Sequence, residues 1–222
     1  MGEQGISDPG LEPFRSAFGC GDGLARTIAA LSRQSSHARG LQLWPHGDGN
    51  ETSLLLRGQA QEVAYGREGA MLVLLPLGPG DFYGSLAGSG DSDAQVEATS
   101  DGTGAHFGDG AVVRLMESYS CVGVAIARHL SSRLATMRRR MVEAALLSAT
   151  GRIAAELLRR SAAGQDRTIR PVPVFSDLAA AVQSTRETVS RTVSQLEKRG
   201  VLLRVDGGLK VVAPHRLEEL VY

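Results

Sequence analysis

Four side chains in the stretch QSTRETVSRTVSQLEKRG, residues 183–200, have the types and spacing to read nucleic-acid bases: Arg186, Glu187, Ser190 and Arg191. An arginine can donate two hydrogen bonds to O6 and N7 of guanine, and a glutamate can accept from the N4 amine of cytosine. Each such contact is worth about 1–3 kcal/mol of discrimination in the major groove. At about 100° per residue these four share one arc of a helical wheel, while Val189, Val193 and Leu196 fall together on the opposite arc. Ser190 or Thr188 suits a phosphate oxygen. A solvated face carrying an i,i+4 ion pair between Glu187 and Arg191 is the plain alternative.

The elements that must hold this arc are written on either side of it. Ser176 stands before a short apolar run, Leu178 to Val182, and is the expected N-cap of a helix of about two turns. Ser184 lies three residues before Glu187, the spacing of a capping box, so a second helix is expected from Thr185 to about Arg199, closed by Gly200. The following VLLRV-DGG-LKVV reads as two strands around a Gly-rich turn. Helix, tight connection, helix and hairpin make a winged helix-turn-helix, with Arg204 and Lys210 on the wing placed for backbone phosphates.

Further upstream the texture changes twice. Residues 1–24 are rich in Gly, Pro and small polar residues and read as a flexible leader. Residues 25–110 carry short apolar runs cut by GDGN, YGREG, GPGD and GSGDSD, the rhythm of a β-barrel or sandwich. From 111 to 147 a single long helix is expected. In it Ala127, Leu130, Leu134, Met137, Met141 and Ala144 recur at alternating steps of three and four, an a/d stripe suited to pairing with a second copy of the chain. Residues 148–222 form the helical and winged module. Trp44 and Tyr83 are expected in the barrel core.

The formal net charge of zero conceals a division. Residues 1–110 hold six arginines against 14 acids, a balance of −8, and residues 111–222 hold 18 Lys or Arg against 10 acids, a balance of +8. A basic half suits a nucleic-acid partner. No apolar run is long enough to span a membrane, and MGEQGISDPGLEPF shows no secretory signal, so a cytoplasmic address is expected. Two separated cysteines support neither a disulfide framework nor a zinc or iron–sulfur site. The five histidines show no metal spacing. With no nucleophile elbow, P-loop or dinucleotide fingerprint, an enzyme is not expected.

TGRIAAELL at 150–158, then FSDLAAAVQSTRETVSRTVSQLEKRGVL at 175–202 and the wing, resemble the DNA-binding domain of the CRP/FNR family, the relatives of the cyclic-AMP receptor protein. The order of strands, PGDFYG turn and long helix agrees over about 25–222. The resemblance implies an α+β chain: a cyclic-nucleotide-binding-like jelly roll, a dimerisation helix and a winged helix-turn-helix. It implies a homodimeric transcription regulator reading paired half-sites similar to TGTGA, with Arg186, Glu187 and Arg191 as base readers. Ser190, Thr185, Thr188, Ser176, Arg204 and Lys210 complete the expected DNA contacts, and RNA polymerase is a further implied partner. An effector pocket would involve Gly84, Ser85, Leu86, Ser92, Asp93, Met137 and Arg138. There the sequence departs from the family: Ser85, Ser92 and Asp93 stand where cyclic-AMP binders carry a Glu and an Arg-Ser pair. An acidic group where an anion should dock is repulsive, so cyclic AMP in the usual mode is not expected. Gln183 occupies the turn position where the family usually has Gly. The readings weighed against this one are a regulator answering to cyclic AMP, cyclic GMP or cyclic di-GMP through altered contacts, and a sensing or scaffolding dimer that binds no DNA. No cofactor is expected beyond an unidentified small-molecule effector.

Overall fold

A computed structural model of the chain describes residues 9–45, 51–66, 71–85, 94–108 and 110–221. The chain divides into two compact units, residues up to 70 with 74–136, and residues 71–73 with 137–222.

Eight strands make the jelly roll: β1 (Ser32–His37), β2 (Gln42–Trp44), β3 (Thr52–Arg57), β4 (Ala60–Tyr65), β5 (Met71–Leu77), β6 (Phe82–Gly84), β7 (Ala94–Ala98) and β8 (Gly102–Phe107). They form two sheets of four, in the orders β1-β8-β3-β6 and β2-β7-β4-β5. Strand β3 reads TSLLLR, with its first five residues buried. Because successive side chains face opposite ways, Leu55 turns toward Trp44, Tyr83 and Val96, while Leu54 and Leu56 join a second apolar layer with Phe82 and Phe107.

That second layer is closed by helices. A 3-10 turn at Pro9–Leu11 leads into α1 (Glu12–Phe18) and α2 (Asp22–Ala30). Residues 9–24, loose by composition, are therefore ordered helix over most of their length, a correction to the leader reading. The reason is a pair of side chains that composition hides. Phe14 and Phe18 are one turn apart on α1 and fully buried, and the Phe18 ring meets Phe82 edge-on at 5.1 Å and Phe107 at 5.7 Å. Two buried aromatics contribute several kcal/mol, about 1.5–3 each, which offsets the glycine-rich connections around them.

The expected single helix over 111–147 is interrupted. Tyr119 is extended, at φ −134° and ψ 107°, and separates α3 (Ala111–Ser118) from α4 (Ser120–Leu146). Its carbonyl accepts from the amides of Val122 (3.0 Å) and Gly123 (3.3 Å), so it starts the second helix while ending the first. Helix α4 has 27 residues, about 40 Å at 1.5 Å per residue.

The second unit holds α5 (Ala149–Ala163), β9 (Thr168–Ile169), α6 (Phe175–Ala181), α7 (Arg186–Lys198), β10 (Leu202–Val205), β11 (Gly208–Val211) and α8 (Pro214–Glu218). The strands form one sheet in the order β10-β11-β9. One apolar cluster gathers Ile153 and Leu157 from α5, Leu178 from α6, Val189, Val193 and Leu196 from α7, Leu202 and Leu209 from the hairpin and Leu217 from α8. The wheel reading of α7 thus holds: its apolar arc is the one that grips the core.

Candidate nucleic-acid interface

Helix α7 is aimed by its first turn. Its N-cap is Thr185, whose Oγ1 accepts from the Thr188 amide at 3.2 Å and lies 2.9 Å from the Thr188 hydroxyl. The capping box expected from Ser184 and Glu187 does not form. Helix geometry begins one residue later, which puts Glu187 at the second helical position and turns its carboxylate outward. The expected cap at Ser176 is likewise absent: α6 starts at Phe175 with Val174 as its N-cap residue and no side-chain cap. Ser176 is exposed, and its hydroxyl donates to Asp177 at 3.2 Å. The extended Val174 that follows Pro173 supplies its carbonyl to the Leu178 amide at 3.0 Å, so the helix is already under way when Ser176 is reached.

Between α6 and α7 the chain makes a Schellman turn. The Ser184 amide donates to the Ala179 carbonyl at 2.9 Å and the Gln183 amide to the Ala180 carbonyl at 3.3 Å. The motif requires a left-handed residue at position 183, and Gln183 adopts it, with φ +51°. A side chain there costs about 1 kcal/mol relative to glycine.

Arg186, Glu187 and Arg191 are exposed on the outer arc of α7, and Thr188 and Ser190 are half-buried. No ion pair joins Glu187 to Arg191 among the described residues, so the neighbour-pair alternative is not what occupies these groups. Thr185 is exposed at the helix start. The wing follows as expected: Leu202 pairs with Val211 and Val205 with Gly208 around the turn Asp206–Gly207, where Gly207 has φ +61°. Lys210 is half-buried on β11. Arg204 points across to α7, its Nε donating to Glu197 Oε1 at 2.7 Å, which ties the wing to the helix but leaves the side chain more than half exposed. Sequence reasoning passed over Arg170. Its guanidinium donates to the Asp206 carbonyl, and its stem lies beside Gly208, so it braces the wing turn from the neighbouring strand's end. Only the pairing of β11 with β9, two residues long, brings it there.

The expected dimer stripe is exposed along α4. Leu130, Leu134, Met137 and Met141 are 47%, 68%, 45% and 76% exposed, and Ala127 and Ala144 lie open beside them. By contrast Arg133, on the same helix, turns away from the stripe to donate to the Phe82 carbonyl at 2.6 Å and to pair with Glu62.

Of the expected effector residues, Leu86, Ser92 and Asp93 lie outside the described residues. Gly84 has φ +89°, and a Cβ there would stand 2.3 Å from the Glu51 carbonyl, so the close approach of β3 to β6 requires glycine. Ser85 is buried. Its backbone is held by the Glu51 carbonyl and the Thr52 hydroxyl at 3.0 and 2.7 Å, and its own hydroxyl has no partner among the described residues. Met137 and Arg138 are exposed on α4.

Residues 151–220 match the model of the Crp-like helix-turn-helix domain. The chain is 29% identical over 171 residues to the transcriptional regulator SdrP of Thermus thermophilus, covering 75% of this chain and 81% of that protein. Among solved structures it is similar to a CRP/FNR family transcriptional regulator from Thermus thermophilus, with a TM-score of 0.67 and 26% identity, covering 85% of this chain and 98% of the other. It shares the fold of a CooA variant from Carboxydothermus hydrogenoformans, with a TM-score of 0.78 at 17% identity over 88% and 90% of the two chains. With its jelly roll, its long helix with an open apolar stripe and its winged helix-turn-helix, the chain is similar in sequence and fold to transcription regulators of the CRP/FNR family, and residues 151–220 carry a Crp-like helix-turn-helix domain.

Proposed function

We propose that the protein is a homodimeric, sequence-specific DNA-binding transcription regulator, acting in the cytoplasm, whose α7 enters the major groove. The observation that carries the reading is the arc of Arg186, Glu187 and Arg191: exposed, outside any described ion pair, and backed by a helix face locked into the core. Arg186 and Arg191 are the guanine readers and Glu187 the cytosine reader. Thr185, Thr188, Ser190, Ser176 and Lys210 supply phosphate contacts, and Arg204 does so from its pairing with Glu197. The stripe on α4 pairs with its counterpart in a second copy, so that two α7 helices meet successive major grooves about 34 Å apart.

A gel-shift titration at physiological salt tests this, using duplexes with inverted TGTGA-like half-sites against scrambled ones. The expected result is a preference of at least a hundredfold for the paired sites. Because Ser85 offers no carboxylate for a ribose, the preference should be the same with and without cyclic AMP. Equal affinity for both duplexes would sink the reading.

A further inference from the structure

The side chain of Arg152 makes three hydrogen bonds, and all three go to carbonyl oxygens at helix ends. Its Nη1 donates to Leu147 at 2.9 Å, just past the last turn of α4. Its Nε donates to Val182 at 2.8 Å and its Nη2 to Gln183 at 3.0 Å, the two carbonyls left open where α6 stops. The last carbonyls of a helix have no partner within it, and one guanidinium answers for both helices at once. A lysine could not, because the task needs donors diverging from a rigid planar fork.

The neighbourhood keeps Arg152 on this duty. Glu143 and Glu156, the nearby acids, are already engaged: Glu143 by Arg159 at 2.7 and 2.9 Å, and Glu156 by Arg159 and by Arg160 at 2.8 Å. The cavity bounded by Arg140, Glu143, Arg152, Glu156 and Gln183 is about 20 Å³, room for a water and not for an effector. Gly151, next to Arg152, lets α5 approach closely: a Cβ there would stand 2.8 Å from the Leu220 carbonyl.

We propose that Arg152 is a positioning residue for base reading: it ties the strained turn that aims α7 to the end of the helix that carries the dimer stripe. The proposal rests on the reading of α7 as the DNA-reading helix. Through Arg152 the left-handed Gln183 is held from its own carbonyl, and the start of α7, two residues on, inherits that placement. The phosphate contacts of the wing, from Arg204 and Lys210, do not depend on this tie, whereas every base reader sits on α7, so losing it should cost sequence discrimination more than general affinity.

The test compares wild type, Arg152→Lys and, as a control in an exposed ion pair outside this network, Arg216→Gln, which loses only its bond to Glu219. Hydrogen exchange of the free protein is measured together with affinity for paired-site and scrambled duplexes, well below the unfolding temperature. For Arg152→Lys, exchange of the Gln183 and Ser184 amides should rise at least tenfold while the β10–β11 amides hold. Paired-site affinity should fall at least tenfold, and scrambled-duplex affinity should stay within about twofold; Arg216→Gln should do none of this. Unchanged exchange at 183 and 184, an equal rise throughout the unit, or an equal loss on both duplexes would overturn the proposal. The exchange readout needs no DNA, so a wild type that fails to discriminate duplexes marks failure of the DNA reading instead. Should the single variant unfold, Arg152→Lys with Gln183→Gly removes the strain of the turn without restoring the bond to Leu147. Paired-site affinity should then stay low, and recovery to the wild-type value would overturn the tie.

Discussion

At the scale of single residues, α7 separates two kinds of contact that can be measured apart. Arg186→Ala removes a bidentate donor to one base pair. Specific affinity should fall by about 1–3 kcal/mol, roughly five- to 160-fold, with preference relaxed at one guanine and little change on scrambled duplex. Lys210→Ala should weaken all duplexes alike and reduce the slope of log affinity against log salt by about one. The reverse pattern, general loss at 186 and base-specific loss at 210, would exchange their roles. Two histidines in the first unit make a second residue-scale prediction. Burial lowers the pKa of His37, opposed by Asp101, and burial lowers that of His129, opposed by Asp81 and reinforced by Arg133. A base whose pKa is depressed on folding takes up its proton sooner in the unfolded chain. The stability it contributes is present above the ordinary histidine value of about 6.5 and is lost as pH falls through the folded pKa. Urea midpoints should therefore drop between pH 7.5 and 5.5, and His129→Gln should shrink the drop. A variant with the same pH profile as wild type would assign the dependence elsewhere.

Elements show where local rules are enough and where they are overruled. The stripe on α4 repeats at helical spacing and is exposed as that spacing requires. A leucine buried on association contributes about 1.5–3 kcal/mol, and a two-fold interface counts it twice. Leu134→Glu should therefore weaken the dimer by about 3–6 kcal/mol, read by analytical ultracentrifugation, with the melting of the winged module unchanged. A wild type that sediments as a monomer at tens of micromolar would remove the stripe from the argument. Helix ends were harder to read. Ser184, Thr185 and Ser176 are all competent caps by type, and only one of them, Thr185, caps a helix. Which hydroxyl is used depends on where the turn at Gln183 leaves the backbone, a matter of a single residue in register. The break at Tyr119 escaped periodicity for a similar reason, because the apolar spacing continues across it while one backbone rotation does not.

Over the whole molecule, formal charge is divided between two stretches of the chain. The acidic stretch 1–110 belongs to the jelly roll and its helices, and the basic remainder carries α7 and the wing. The strands with apolar runs or clear alternation, β3, β4 and β7, were legible, as were α6, α7 and the hairpin of the winged module, while β9 and α8 were not. Strand β1 was not, since SRQSSH has no apolar alternation and is placed by its six pairings with β8. The N-terminal helices were hidden by composition until Phe14 and Phe18 found Phe82 and Phe107. Among the described residues no helix is long and apolar enough to cross a membrane. What the amino-acid order determined by itself is what depends on neighbours within a few positions: the two periods, the turn between α6 and α7, the Gly-rich wing and the outward arc of Arg186, Glu187 and Arg191. What only tertiary structure decided joins one element to another: Arg170 to the wing, Arg204 to Glu197, and Arg152 to both Leu147 and Gln183. A guanidinium at the end of a long side chain can reach any carbonyl the fold brings within about 3 Å, and no local pattern records which one that will be.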